Sequence, residues 1–175
     1  MTWEDEAFTQ YKCPHCNTED IVPASGNKDA EILIVGEFPG SEEIRTGKPF
    51  SGNTGTILRK ELRYLGLDIG TCRITNIWLH EPNKKDECYK YGIEQVIKEA
   101  KGRKAILLLG SDVTEYFIGK PVMSVCGMQV KSSYLSAPIV FACVNPACVF
   151  KNNVGELKWA LKKFVELLNG ENYEG

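Results

Sequence analysis

Long hydrophobic runs are missing from this chain: no apolar stretch among its 175 residues is long enough to cross a bilayer. The N-terminal MTWEDEAF is acidic and has no signal-peptide core, so an intracellular protein without a membrane partner is expected. An excess of positive charge is missing too. Lys and Arg number 21 against 23 Asp and Glu, and the formal net charge of -2 lacks the basic footprint common among nucleic-acid binders. Any contact with a nucleic acid must then be local, weak or strongly dependent on salt. Repeats and low-complexity segments are absent, which excludes solenoids and arrays. There is no second Cys-x-x-Cys pair, so Cys13 and Cys16 cannot define a metal site by themselves.

What is present suits a single domain with one sizeable core, spanning 1–175: 43% of residues are hydrophobic and 25% charged. The seven cysteines are an odd number, and without a secretory signal a disulfide framework is disfavoured. Metal binding is the better first reading. Cys13-Pro14-His15-Cys16 puts two thiolates on one tight turn, within an N-terminal metal-binding segment at about 10–20, although two unrelated thiols would give the same spacing.

Four short apolar runs read as buried strands: Ile32 to Val35, Arg73 to Trp78, Ala105 to Leu109 and Ile139 to Val144. Helical patterns alternate with them at Thr56 to Leu67, Glu87 to Lys101, Asp112 to Ile118, with Ser111 as its cap, and Val154 to Leu168. Thr18 to Ala30 reads as a loop and residues 121–136 as a loop or hairpin. This alternation predicts an α/β protein of three layers, α/β/α, around a central four-stranded parallel sheet. The carboxyl ends of the strands then share one edge, where open α/β sheets place their ligands.

The most informative stretch runs from Ile32 to Leu58, ILIVGEFPGSEEIRTGKPFSGNTGTIL. Gly36, Pro39 and Gly40 stop the strand at that ligand edge, and Glu37 and Glu43 follow. Taken alone this is equally a strand-to-helix connection with a solvated acidic loop. The whole string, Gly36-Glu37-Phe38-Pro39-Gly40, then Glu42-Glu43, then Thr46-Gly47-Lys48-Pro49-Phe50 and Gly52 to Leu58, resembles the first motif of the uracil-DNA glycosylase superfamily. The form is that of its iron-sulfur-containing family four, and the resemblance covers roughly residues 10–165. It implies the glycosylase fold and DNA containing uracil or a modified base as partner. A monomer is expected.

Two further segments carry the resemblance with changes. Thr75-Asn76-Ile77-Trp78-Leu79-His80-Glu81-Pro82-Asn83 keeps the asparagine that reads the base in family four, but has His80 where the family's third cluster cysteine stands. Cys88 takes the fourth ligand place after a shorter connection. The resemblance therefore implies one metal centre on Cys13, Cys16, His80 and Cys88, a four-iron four-sulfur (4Fe-4S) cluster or, alternatively, one zinc ion. Cys72, Cys126, Cys143 and Cys148 are expected in or near the core, with Cys72 as the substitute for His80 if the turn is rearranged. Asn145-Pro146-Ala147-Cys148-Val149-Phe150-Lys151 stands where the family has a histidine-led motif, so that Asn145 replaces the histidine that stabilises the departing base.

Breaking the bond between uracil and its sugar builds positive charge on the sugar and negative charge on the base. The site therefore needs a carboxylate near the sugar or a water, and hydrogen-bond donors near the base oxygen. Carried onto this chain, the resemblance makes Glu37, Glu43 and Asn145 the catalytic residues. Gly36, Phe38, Phe50 and Asn76 become base-binding, with Asn76 offering both a donor and an acceptor and Phe50 a stacking face. Lys48, Pro146, Ala147 and Lys151 become DNA-binding, and the loop of Val149, Phe150 and Lys151 fills the vacated stack. An amide at 145 carries no positive charge. A uracil glycosylase, a glycosylase for another modified base, and a glycosylase-fold protein that binds DNA or a partner without catalysis all remain open at this point.

Overall fold

The computed structural model describes residues 12–151 and 154–170; the first two residues of the 10–20 segment lie outside them. Six strands form one sheet: β1 Ser25–Gly26, β2 Ile32–Gly36, β3 Arg73–Asn76, β4 Ala105–Leu109, β5 Met128–Gln129 and β6 Ile139–Cys143, in the order β1-β3-β2-β4-β6-β5. The inner four, β3, β2, β4 and β6, run parallel, as the apolar runs predict. The expectation of four strands needs correction at both edges, because β1 and β5 add short antiparallel pairs to β3 and β6. Each has only two residues and falls in a segment whose turn residues mask it.

Strand side chains alternate between two faces. Ile34, Leu107, Leu109, Phe141 and Cys143 point to one face, where they meet Leu58 and Leu62 of helix α2 (Asn53–Tyr64) and Leu157, Leu161 and Phe164 of α6 (Val154–Leu168). Leu33, Val35, Ile106, Leu108 and Val140 point to the other, against Ile93 and Val96 of α3 (Asp86–Ala100) and Val113 and Phe117 of α4 (Ser111–Ile118). That gives the three layers. No described helix is long and apolar enough to cross a membrane.

Several boundaries differ from the sequence expectation. The strand at 73 ends at Asn76 rather than Trp78, although the Ile77 and Trp78 N–H groups still donate to the Gly36 and Glu37 carbonyls. Helix α2 starts at Asn53 and stops at Tyr64. A short helix, α1 (Ser41–Thr46), lies in the stretch expected to be a loop, and α5 (Val122–Val125) precedes β5. Ser111 is the first residue of α4 and does not cap it.

A buried ion network fastens the β1 edge. Arg73 grips Glu99 with two nitrogens at 2.9 Å each and donates a third bond to the Gly26 carbonyl, while Arg103 donates to the carbonyls of Lys28 and Ala30 and to Glu99. Replacing Glu99 by Ala leaves two buried guanidinium groups uncompensated, for which a loss of about 3–5 kcal/mol is expected. Urea unfolding of the variant beside the parent checks it.

Candidate active site and candidate metal centre

At the carboxyl ends of the parallel strands a small cavity of about 40 Å³ brings together Gly36, Glu37, Phe38, Glu43, Phe50, Asn76 and Asn145. The register explains the first contact: Gly36 ends β2 directly beside Asn76, which ends β3. Gly36 must be glycine here, because a Cβ would stand 2.5 Å from both the Asn76 amide oxygen and the Phe50 ring. Amide and ring thus close over a bare backbone, with Asn76 only 3% exposed. Phe50 serves both core and cavity; it packs with Leu58 and Ile34 and also lines the pocket wall. Its backbone is left-handed (φ 56°), a conformation that costs a non-glycine residue roughly 1–3 kcal/mol, and Arg59 holds it by donating to the Phe50 carbonyl.

Glu37 reaches across to the start of α4, where its Oε1 accepts the Asp112 N–H at 3.1 Å. The carboxylate does the capping that the sequence assigns to Ser111, with the positive end of the helix beside it. Gly110 makes room for it: φ is 116°, and a Cβ would lie 2.1 Å from that oxygen. Burial is the largest influence on Glu37 and raises its pKa above the ordinary value, opposed by the Asp112 and Ser111 N–H groups and reinforced by the Asp112 charge. Glu43, carried by α1, is buried at the same cavity.

Asn145 follows β6 and its Oδ1 accepts the Ala147 N–H at 2.9 Å. Its amide oxygen is thereby engaged and its NH₂ is the group left to donate. Glu37 and Asn145 also share a second, wider groove of about 480 Å³ that runs past Ala147 to Lys151. Lys48 and Lys151 are exposed, Pro146 is buried, Phe38 stands at the cavity with 51% exposure, and Phe150 projects with 66%. Two lining residues were not singled out from the sequence, Thr54 and Leu109. The rule that ligands sit at strand carboxyl ends points to Leu109, the last residue of β4. A larger cavity, about 840 Å³ between α2 and α6, shares none of these residues.

A second cluster lies beyond β3. The ligand atoms of Cys13, Cys16, His80 and Cys88 all fall within 4.8 Å of one another. Cys72 is not among them; it is buried in the main core. Cys13 Sγ is 3.7 Å from Cys88 Sγ, and Cys16 Sγ is 3.6 Å from His80 Nε2. His80 Nδ1 lies 2.8 Å from the Glu81 carbonyl, which can only accept, so Nδ1 carries the proton and Nε2 keeps its lone pair for a metal. Burial alone would raise the Cys13 thiol, but N–H groups of His15 and Cys16 and the nearby His80 bring it down to about 7. Asn83 donates to Cys88 Sγ at 3.5 Å.

The description of the family whose model matches residues 23–169 is the uracil DNA glycosylase superfamily. The chain belongs to that superfamily. Among curated relatives it is 27% identical over 164 residues to a type-4 uracil-DNA glycosylase of Thermotoga maritima, covering 88% of this chain and 84% of the relative. It is 33% identical over 161 residues to one of Saccharolobus solfataricus, covering 81% and 74%. A third, from Archaeoglobus fulgidus, is 34% identical over 120 residues, covering 63% and 59%. Cys13 and Cys16 precede the stretch matched to the superfamily, whereas His80, Cys88 and the whole candidate active site lie within it.

Proposed function

We propose that this chain hydrolyses the N-glycosidic bond of uracil, or of a closely related base, in DNA, as a step of base-excision repair. The observation that carries this reading is the convergence of two carboxylates, an aromatic ring and two amides on one cavity: Glu37, Glu43, Phe50, Asn76 and Asn145. A pure binding surface has no use for a buried Glu43 and a half-buried Glu37 where a sugar would lie, least of all in a partner that must meet phosphates.

The target base leaves the stack and enters the cavity, where Phe50 covers one face and Asn76 pairs with its amide-like edge. As the bond from the sugar C1′ to the base nitrogen breaks, Glu43 offsets the positive charge on the sugar. Glu37 takes a proton from the water that attacks C1′; its raised pKa makes it a better base than a solvated carboxylate. The electron pair of the broken bond leaves with the base, and the Asn145 NH₂ donates to the base oxygen on which that charge gathers. Solvent then protonates the departed base. Gly36 and Phe38 border the base, and Lys48, Pro146, Ala147 and Lys151 border the DNA. The centre assigned to Cys13, Cys16, His80 and Cys88 clamps the N-terminal segment to Leu79 and α3, and no step of the reaction passes through it.

Incubation with single- and double-stranded oligonucleotides carrying one uracil, followed by alkali, is expected to cut both at that position. Retained DNA binding without cleavage would replace this reading by one of binding alone. Phe150 is the residue exposed enough to enter the vacated stack. Its replacement by Ala is expected to cost about 1–3 kcal/mol, roughly fivefold to 150-fold, on duplex substrate. Single-stranded substrate, which has no stack to fill, should be cleaved nearly as fast as by the parent.

A further inference from the structure

The set of four candidate ligands has a size, and size distinguishes the centres that three cysteines and a histidine can hold. Around one zinc ion, bonds of about 2.3 Å to sulfur and about 2.0–2.1 Å to nitrogen place tetrahedral neighbours about 3.8 Å apart for two thiolates and about 3.6 Å apart for a thiolate and an imidazole. Cys13 and Cys88 present sulfurs 3.7 Å apart, and Cys16 Sγ and His80 Nε2 are 3.6 Å apart. In a four-iron four-sulfur cube each ligand binds its own iron at a separate corner, which spreads the outer ligand atoms to about 6 Å. No pair in this set exceeds 4.8 Å. The cluster implied by the family resemblance does not fit this spacing.

The surroundings hold the ligands where they are. His80 is 4% exposed and its Nδ1–H is tied to the Glu81 carbonyl, which aims Nε2 inward. Cys88 lies in the first turn of α3, and only the short connection from Glu81 to Glu87 separates it from His80. On the other side, Cys13 and Cys16 share a knuckle closed by bonds from Asn17 N–H to the Cys13 carbonyl and from Cys13 N–H to the Thr18 carbonyl. Cys13 and Cys88 are also packed with Ile21 and Leu79, so separating them would open a small core.

We propose that Cys13, Cys16, His80 and Cys88 bind a single zinc ion as a closed structural site in place of an iron-sulfur cluster. All four tetrahedral positions come from the protein, so the ion has no open place for substrate. Zinc has no redox chemistry, and the protein is then indifferent to reductants and to dioxygen at this centre. The proposal rests on the ligand set alone and stands or falls separately from the glycosylase reading.

The test is elemental analysis of the whole protein, purified anaerobically from cells supplied with both iron and zinc. About one zinc per chain is expected, with neither acid-labile sulfide nor brown colour. Exchange of that zinc for cobalt(II) should give the visible ligand-field absorption of a tetrahedral thiolate site, and His80→Ala should weaken or abolish it. About four irons with matching sulfide would overturn the proposal. So would a folded, metal-free protein that takes up neither zinc nor cobalt. Because the wild-type metal content is itself decisive, the proposal stays testable even if His80→Ala fails to fold.

Discussion

Replacing Glu37 by Gln is expected to lower kcat for uracil release by about 10²–10⁴-fold, the range that a positioned general base contributes. The substitution is conservative in every other respect. Glutamine keeps an oxygen to accept the Asp112 N–H, so the start of α4 stays capped, and it introduces no volume change beside Gly110. Stability should move in the opposite direction to activity. Burial raises the folded-state pKa of Glu37 above its unfolded value, so its stabilising contribution is complete below the unfolded pKa and is lost as pH rises through the folded one. At neutral pH the ionised carboxylate is therefore a cost, and Glu37→Gln should melt at or above the parent temperature. The pH profile supplies an independent sign. Since the base must be ionised, kcat/KM should rise with pH along a limb centred above the ordinary glutamate range, and that limb should vanish in the variant.

The second large effect is expected at Asn145. Removing its donor with Ala should cost about 10²–10³ in kcat, as loss of one oxyanion donor does elsewhere. The loss would fall on kcat rather than on KM, because the base oxygen carries its charge only as the bond breaks. Asn145→His should instead raise the rate by roughly tenfold, since a charged donor makes a hydrogen bond about twice as strong as a neutral amide. A charged ring donates from both nitrogens, so this gain is what remains after the Ala147 N–H now held by Asn145 Oδ1 loses that acceptor. Single-turnover rates for the three proteins, measured on one oligonucleotide, separate these expectations.

Much of this molecule is legible in its sequence, and the particular residues show why. The runs ILIV, AILLL and IVFAC lie in strands covered on both faces, so they are apolar throughout and stand out from their surroundings. Gly36 and Asn76 end neighbouring strands at one edge, which the sequence reveals because parallel strands share their direction. What the sequence concealed is short or tertiary. Helix α1 is a single turn and a half, although its signals are present in retrospect: Glu42 and Glu43 in the first turn, Arg45 in the last, and the left-handed Gly47 beyond. Glu37 displaced Ser111 as the cap of α4 because it arrives from a different strand, which no local pattern reveals. The metal ligands illustrate the same limit. Their identity follows from family positions, but the distance between Cys13 and Cys88 exists only once the chain is folded.

Single-turnover release of free uracil from an oligonucleotide carrying one deoxyuridine, followed with wild-type protein and Glu37→Gln prepared identically, tests the central claim most directly. The account predicts one uracil released per target site by the wild type, and a rate lower by about 10²–10⁴-fold in a variant that is folded and binds the same DNA. Equal rates from both proteins, or no uracil from a wild type that binds DNA, would contradict it.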